Sequence, residues 1–175
     1  MQQITRHPFF LATALLLGTI QLLPAQPQKN VEVFAGYSLV NLKPDRNLDR
    51  TNHQGFAASF TSYQIFPRWG LTAEFDTNSE QNSYLFGGTY RSFRRKRFAL
   101  TGRILAGATR WQPTPEQTAF TFGFGQAIDI KCNQSLSLRL QPDLRFVRLK
   151  AANGTSRLSL VRPFSIGLVY QFSKR

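Results

Sequence analysis

Disulfide chemistry is closed to this chain. Cysteine occurs once, at Cys132, so no intramolecular bridge can form. A lipid-modified cysteine is excluded as well, since none follows the N-terminal apolar segment. Histidine is nearly as scarce. His7 and His53 are the two, too few for a multi-histidine metal site, and only His53 lies beyond the first 25 residues. Acidic residues number 9 against 22 Lys and Arg, a formal net charge of +13. That balance favours acidic surroundings such as anionic lipid, lipopolysaccharide phosphate or nucleic acid, without choosing among them. Past the N-terminus no apolar run approaches the roughly 20 residues that a membrane-crossing helix needs.

The N-terminus itself reads as an export signal. Arg6 supplies positive charge, Phe9 to Leu17 form an apolar run, Gly18 to Leu23 extend it unevenly, and Pro24 and Ala25 offer a small-residue processing site. The expected division is a signal peptide over 1–25 and one domain over 26–175. A retained anchor is disfavoured, because the strongly apolar part is too short to cross a bilayer.

Aromatic residues are abundant, with 16 Phe, 5 Tyr and 2 Trp, and many recur at every second position. The last stretch shows it best: Phe164, Ile166, Leu168, Tyr170 and Phe172 alternate with Ser165, Gly167 and Gln171. Period two puts one set on each face of a strand. Seven earlier stretches behave alike, over 31–39, 55–63, 69–77, 83–91, 98–110, 119–130 and 135–147. In the third, Trp69, Leu71, Ala73 and Phe75 oppose Gly70, Thr72, Glu74 and Asp76; in the fourth, 83–91, the facing is ambiguous. Stretches of about 9 to 12 residues suit tilted membrane strands better than soluble ones. Connections over 40–54, 78–82, 111–118 and 148–158 read as mostly long and polar, and those over 64–68, 92–97 and 131–134 as shorter. An even number of strands with long loops on one side and tight turns on the other is the pattern of an outer-membrane barrel. Pro142 is expected at a bulge and Pro163 at the start of its strand.

Several of these segments carry a family likeness. Val33-Phe34-Ala35-Gly36-Tyr37-Ser38, Tyr84-Leu85-Phe86-Gly87-Gly88, Phe122-Gly123-Phe124-Gly125 with Ile128-Asp129-Ile130, and Gly167-Leu168-Val169-Tyr170-Gln171-Phe172 resemble the small outer-membrane β-barrels of the OmpA and OmpX type. The resemblance spans about Val31 to Phe172. It implies an all-β fold, an eight-stranded antiparallel up-and-down transmembrane barrel, and outer-membrane placement. It implies no single activity. Relatives commonly end on an aromatic residue read by the barrel assembly machinery, whereas Ser173-Lys174-Arg175 follow Phe172 here.

The facing then nominates an interior. Glu32, Glu74, Asp76, Asp129 and Asp143 share the inner side with Arg103, Arg139 and Arg145. A narrow barrel fills its lumen with side chains, so these charges are expected to pair as a structural network. Tyr63, Trp69, Tyr90, Trp111, Tyr170 and Phe172 fall near strand ends and are expected as an interfacial aromatic girdle. Arg94-Arg95-Lys96-Arg97, the densest charge run, is expected in a periplasmic turn at inner-leaflet headgroups. Nucleic-acid binding needs aromatics interleaved on the basic face, and here they alternate onto the apolar face. His53, near Asp49 and Thr51, is expected to be solvated in an outer loop. No metal, cofactor or catalysis is expected.

The leading expectation is a monomeric barrel of structural or surface-contact role, touching lipid and lipopolysaccharide and binding through loops 40–54 and 148–158 with Lys43, Arg46, Arg50, Lys150 and Arg157. The alternatives are a soluble lipocalin-like ligand binder of the periplasm, a narrow ion or solute channel, and a lipid-modifying barrel enzyme dependent on His53.

Overall fold

A computed structural model of the chain describes residues 30–42, 51–64, 66, 68–112, 117–150 and 156–173. The expected signal over 1–25 and the loop residues Lys43, Arg46, Asp49 and Arg50 lie outside them. Eight strands follow one another: β1 (Asn30–Leu42), β2 (Thr51–Ser62), β3 (Trp69–Asn78), β4 (Gln81–Arg94), β5 (Phe98–Trp111), β6 (Gln117–Lys131), β7 (Leu136–Lys150) and β8 (Ser156–Ser173). Each pairs antiparallel with the next, and β8 pairs with β1 from Asn30↔Ser173 to Asn41↔Arg162, so the sheet closes into a barrel. Closure removes both sheet edges and pairs the backbone groups that a flat sheet would leave bare. At the closing seam Gly36 faces Gly167. A Cβ on Gly36 would lie 2.4 Å from the Ile166 carbonyl oxygen, and one on Gly167 2.2 Å from that of Ala35, so β1 and β8 approach this closely only as glycines.

The barrel has a terminal end, where Asn30 and Ser173 meet the β2–β3, β4–β5 and β6–β7 turns, and a far end with the other four connections. The strands run from 10 to 18 residues, longer than their alternating cores. They absorb much of what reads as loop. The expected long connection over 78–82 is in fact the two-residue turn Ser79-Glu80, held by Asn78 Oδ1 accepting from the amides of Glu80 and Gln81 at 3.0 Å each. An Asn that caps its own turn makes a tight reversal without glycine. β8 begins at Ser156, so Pro163 sits buried within the strand rather than opening it. Pro142 faces outward, and β7 keeps one register with β8 on both sides of it, from Leu136↔Tyr170 to Lys150↔Ser156, with no bulge. The pairing lapses only between Pro142↔Phe164 and Arg145↔Val161, because neither proline has an N–H to donate. The one register shift involving β4 falls between Arg91 and Phe93 instead.

The barrel is turned inside out relative to a soluble protein. Phe86 is 66% exposed, Phe120 62%, Phe122 41% and Phe124 44%, while Glu32, Glu74, Arg103, Arg139 and Arg145 are buried in the lumen. The apolar set of every strand, Val33 and Tyr37 through Phe172, points out. β4 resolves in the same way: Tyr84 and Phe86 face out, Leu85 and Thr89 face in. An aqueous ligand carrier needs the reverse arrangement, with its apolar face inside.

Candidate functional site

The lumen is built in layers, and four of its charged side chains have room because a glycine stands across from each. Arg145 pairs with Gly123, Asp143 and Arg103 each with Gly125, and Arg139 with Gly167. A Cβ on Gly125 would fall 1.8 Å from Asp143 Oδ1.

Nearest the terminal end, Glu32 accepts from Arg139 Nη2 at 2.8 Å, from Gln171 Nε2 at 3.0 Å and from Arg91 Nη2. Arg139 turns its other side to Asp129, with Nε to Oδ1 at 2.6 Å and Nη2 to Oδ2 at 2.8 Å. Phe34, Ala57 and Val169 form an apolar layer above. Next comes the larger cluster. Glu74 accepts from Arg103 Nη1 at 2.7 Å, from Arg145 Nη2 at 2.7 Å and from Gln141 Nε2 at 3.2 Å. Arg103 Nη2 also reaches Asp143 Oδ2 at 2.7 Å, and Arg145 Nη1 lies 3.8 Å from Asp76 Oδ1, whose other oxygen accepts from Ser38 Oγ at 2.8 Å. Toward the far end Ser83, Thr109 and Thr121 join hydroxyl to hydroxyl at 3.0 and 2.7 Å, and Val40, Trp111, Ala119, Val147 and Val161 pack together as an apolar plug.

All eight charged residues nominated from the sequence therefore meet in two ion-paired layers. Arg91 is a ninth that sequence reasoning passed over, since the facing of β4 was ambiguous. Its guanidinium lies 3.5 Å above the Tyr63 ring. Two girdle assignments are overturned. Tyr63 is 2% exposed under Arg91, and Trp111 is 9% exposed in the far-end plug. Their positions continue the inner sets Ala57-Ser59-Thr61 and Arg103-Leu105-Thr109, so strand parity outweighs closeness to the strand end. Trp69, Tyr170 and Phe172 do face out, at 57%, 47% and 54% exposure; Trp69 packs on Tyr90 with ring centroids 4.8 Å apart, and Tyr170 on Phe172 at 4.6 Å.

Arg94 ends β4, and Arg95, Lys96 and Arg97 form the exposed turn into β5, closed by the Arg95 amide donating to Phe98 O at 2.7 Å. Lys150 and Arg157 end β7 and begin β8 around the paired residues Lys150↔Ser156 and Leu149↔Arg157. His53 is not in a loop. It is a partly buried residue of β2, with Nδ1 3.2 Å from Ser79 Oγ and Nε2 3.5 Å from Glu80 Oε1. A base between a hydroxyl and a carboxylate has the right residue types for acyl transfer, but the turn amides beside Ser79 already donate to Asn78. They are thereby withdrawn from stabilising an oxyanion. Among the described residues no group of His, Cys, Asp and Glu could hold a metal ion, and no helix is long and apolar enough to cross a membrane.

No protein-family model and no curated protein matches the sequence. Solved structures do match. Ail, the attachment invasion locus protein of Yersinia pestis, superimposes with a TM-score of 0.54 at 13% identity, covering 83% of this chain and 99% of that one. Neisserial surface protein A does so with a TM-score of 0.55 at 12% identity, covering 82% and 96%. The chain has the fold of a transmembrane β-barrel. Ail has also been solved in complex with the heparin analogue sucrose octasulfate.

Proposed function

We propose that this protein is exported by the signal over 1–25 and seated as a monomer in a bacterial outer membrane, terminal end toward the periplasm, where it serves as a non-catalytic structural and surface-contact barrel. One observation carries the reading: outward aromatic and aliphatic side chains enclose a lumen filled with ion pairs. Hydrocarbon is the solvent that such a surface fits, because an exposed apolar face of this extent would associate in water. The girdle role belongs to Trp69, Tyr90, Tyr170 and Phe172, and the lumen network is structural, holding the strands in register from inside. The final strand, with Phe172 next to its last residue, is the expected contact for the barrel assembly machinery.

Contact with lipopolysaccharide is supported by Arg148 and Arg162, which stand exposed on the outer wall toward the far end, where outer-leaflet phosphate would lie. The β1–β2 connection and the far ends of β7 and β8 add Lys43, Arg46, Arg50, Lys150 and Arg157, a basic set suited to sulfated polyanions such as the heparin analogue with which Ail has been solved. Fractionation of expressing cells tests the placement. The protein is expected in the outer-membrane fraction, migrating faster on gels unheated than boiled; recovery as a soluble monomer would refute the reading. Deleting 43–50 and 151–155 together is expected to weaken lipopolysaccharide and polyanion binding while leaving the heat-dependent shift in place.

A further inference from the structure

The outer wall is not uniform. Most of it is a palisade of large side chains, but between β2, β3 and β4 near the terminal end there is an apolar groove of about 500 Å³ lined by Ser62, Phe66, Trp69, Gly70, Leu71 and Gly88. It exists because Gly88, between Leu71 on β3 and Ile104 on β5, leaves a gap in the lipid-facing row; a Cβ built on it meets nothing within 4 Å. Phe66 and Trp69, 59% and 57% exposed, form its lip toward the terminal end.

Positive charge stands just past that lip on the same outer face. The register shift between Arg91 and Phe93 sets Phe93 opposite Leu100, which belongs to the outward set of β5, so Phe93 faces out while Arg91 stays in the lumen. The Arg95 guanidinium lies over the Phe93 ring, 5.4 Å from its centroid, and is thereby held against the outer wall. Lys96 and Arg97 continue the exposed basic turn. An apolar trough with room for an acyl chain therefore shares its outer face with the Arg95 guanidinium, a group that suits phosphate oxygens.

We propose that this groove is a binding site for one anionic phospholipid of the inner leaflet, its acyl chain lying between Trp69, Leu71 and Gly88 and its phosphate held by Arg95. The inference rests on the membrane placement proposed above. Interfacial aromatics fix the depth of the headgroup, and the basic run selects net negative lipid over zwitterionic lipid. Lipid of either kind would touch the rest of the wall; the groove with its basic turn makes this one position selective.

Trp69 and Trp111 are the two tryptophans, so Trp111→Phe leaves Trp69 as a reporter inside the groove. The Trp111→Phe protein is refolded into phosphatidylcholine vesicles containing a minor fraction of either brominated phosphatidylglycerol or brominated phosphatidylcholine. The expected result is quenching of Trp69 by the brominated phosphatidylglycerol with a relative association about fivefold higher, the factor for one arginine beside an anionic headgroup. Arg95→Gln with Lys96→Gln is expected to abolish the difference. Gly88→Leu, which fills the trough at a position with open space around it, is expected to reduce quenching by both lipids without loss of folding. Equal quenching by the two lipids, or a preference that survives that double substitution, would overturn the proposal and leave membrane placement standing. Absence of quenching by either lipid in the folded protein would instead overturn the placement.

Discussion

Glu74 is the residue on which the larger interior cluster converges. It lies between Arg103 and Arg145, with both its oxygens in use, in a space closed to solvent. Burial makes each ion costly alone, and geometry of this quality compensates for it. Neutralising the hub leaves two guanidinium groups short of an anion. Glu74→Gln is expected to lower unfolding stability by about 3–5 kcal/mol, read as a lower urea midpoint of the refolded protein in detergent or lipid. Asp76→Asn is expected to cost clearly less, because the Asp76–Arg145 contact is long at 3.8 Å and an amide oxygen still accepts from Ser38. Side-chain facing was legible residue by residue wherever one parity was polar, which is why Glu74, Arg103 and Asp143 could be placed inside. It was not legible for Arg91, since Tyr84 and Phe86 on one parity of β4 oppose the equally apolar Leu85 on the other. Tyr63 and Trp111 show the opposite case: their parity was plain, and their chemistry as amphipathic rings near strand ends argued against it.

At the scale of the strand, what matters is how closely neighbours approach. The β1–β8 seam closes the barrel through Gly36 and Gly167, each facing backbone that has no room to retreat. Gly167→Ala is expected to destabilise by about 1–3 kcal/mol, as forced overpacking does, and to slow the appearance of the heat-modifiable folded band on refolding. Gly88→Ala, a glycine of the same alternating type but with open space around it, is expected to change the midpoint little, within about 0.5 kcal/mol. Nothing in local sequence separates these two glycines; the distinction arises from which strand lies opposite. Strand limits failed for a related reason. Loop and strand residues look alike at the far end, and polar residues such as Asn52, His53 and Gln54 are drawn into β2 by pairing with Leu39, Val40 and Asn41.

For the whole molecule, the question is whether a closed barrel conducts. Two ion-paired layers and an apolar plug at Val40, Trp111 and Val147 occupy the lumen in succession. The refolded protein is expected to show no steady single-channel conductance in a planar bilayer; regular current steps would show that the filled interior opens. Closure also decides which charges meet. Arg139 donates to Glu32 across 107 residues of sequence and Arg145 to Glu74 across 71. Alternation along the chain was enough to give the eight strands without their limits, the inward and outward faces of all but β4, and the expectation of a membrane barrel, because period two is a property of each strand alone. The pairing of particular ions, the burial of Tyr63 and Trp111, and the groove beside Gly88 depend on how distant strands are staggered when the sheet closes, and that stagger is a relation between strands which no single strand carries.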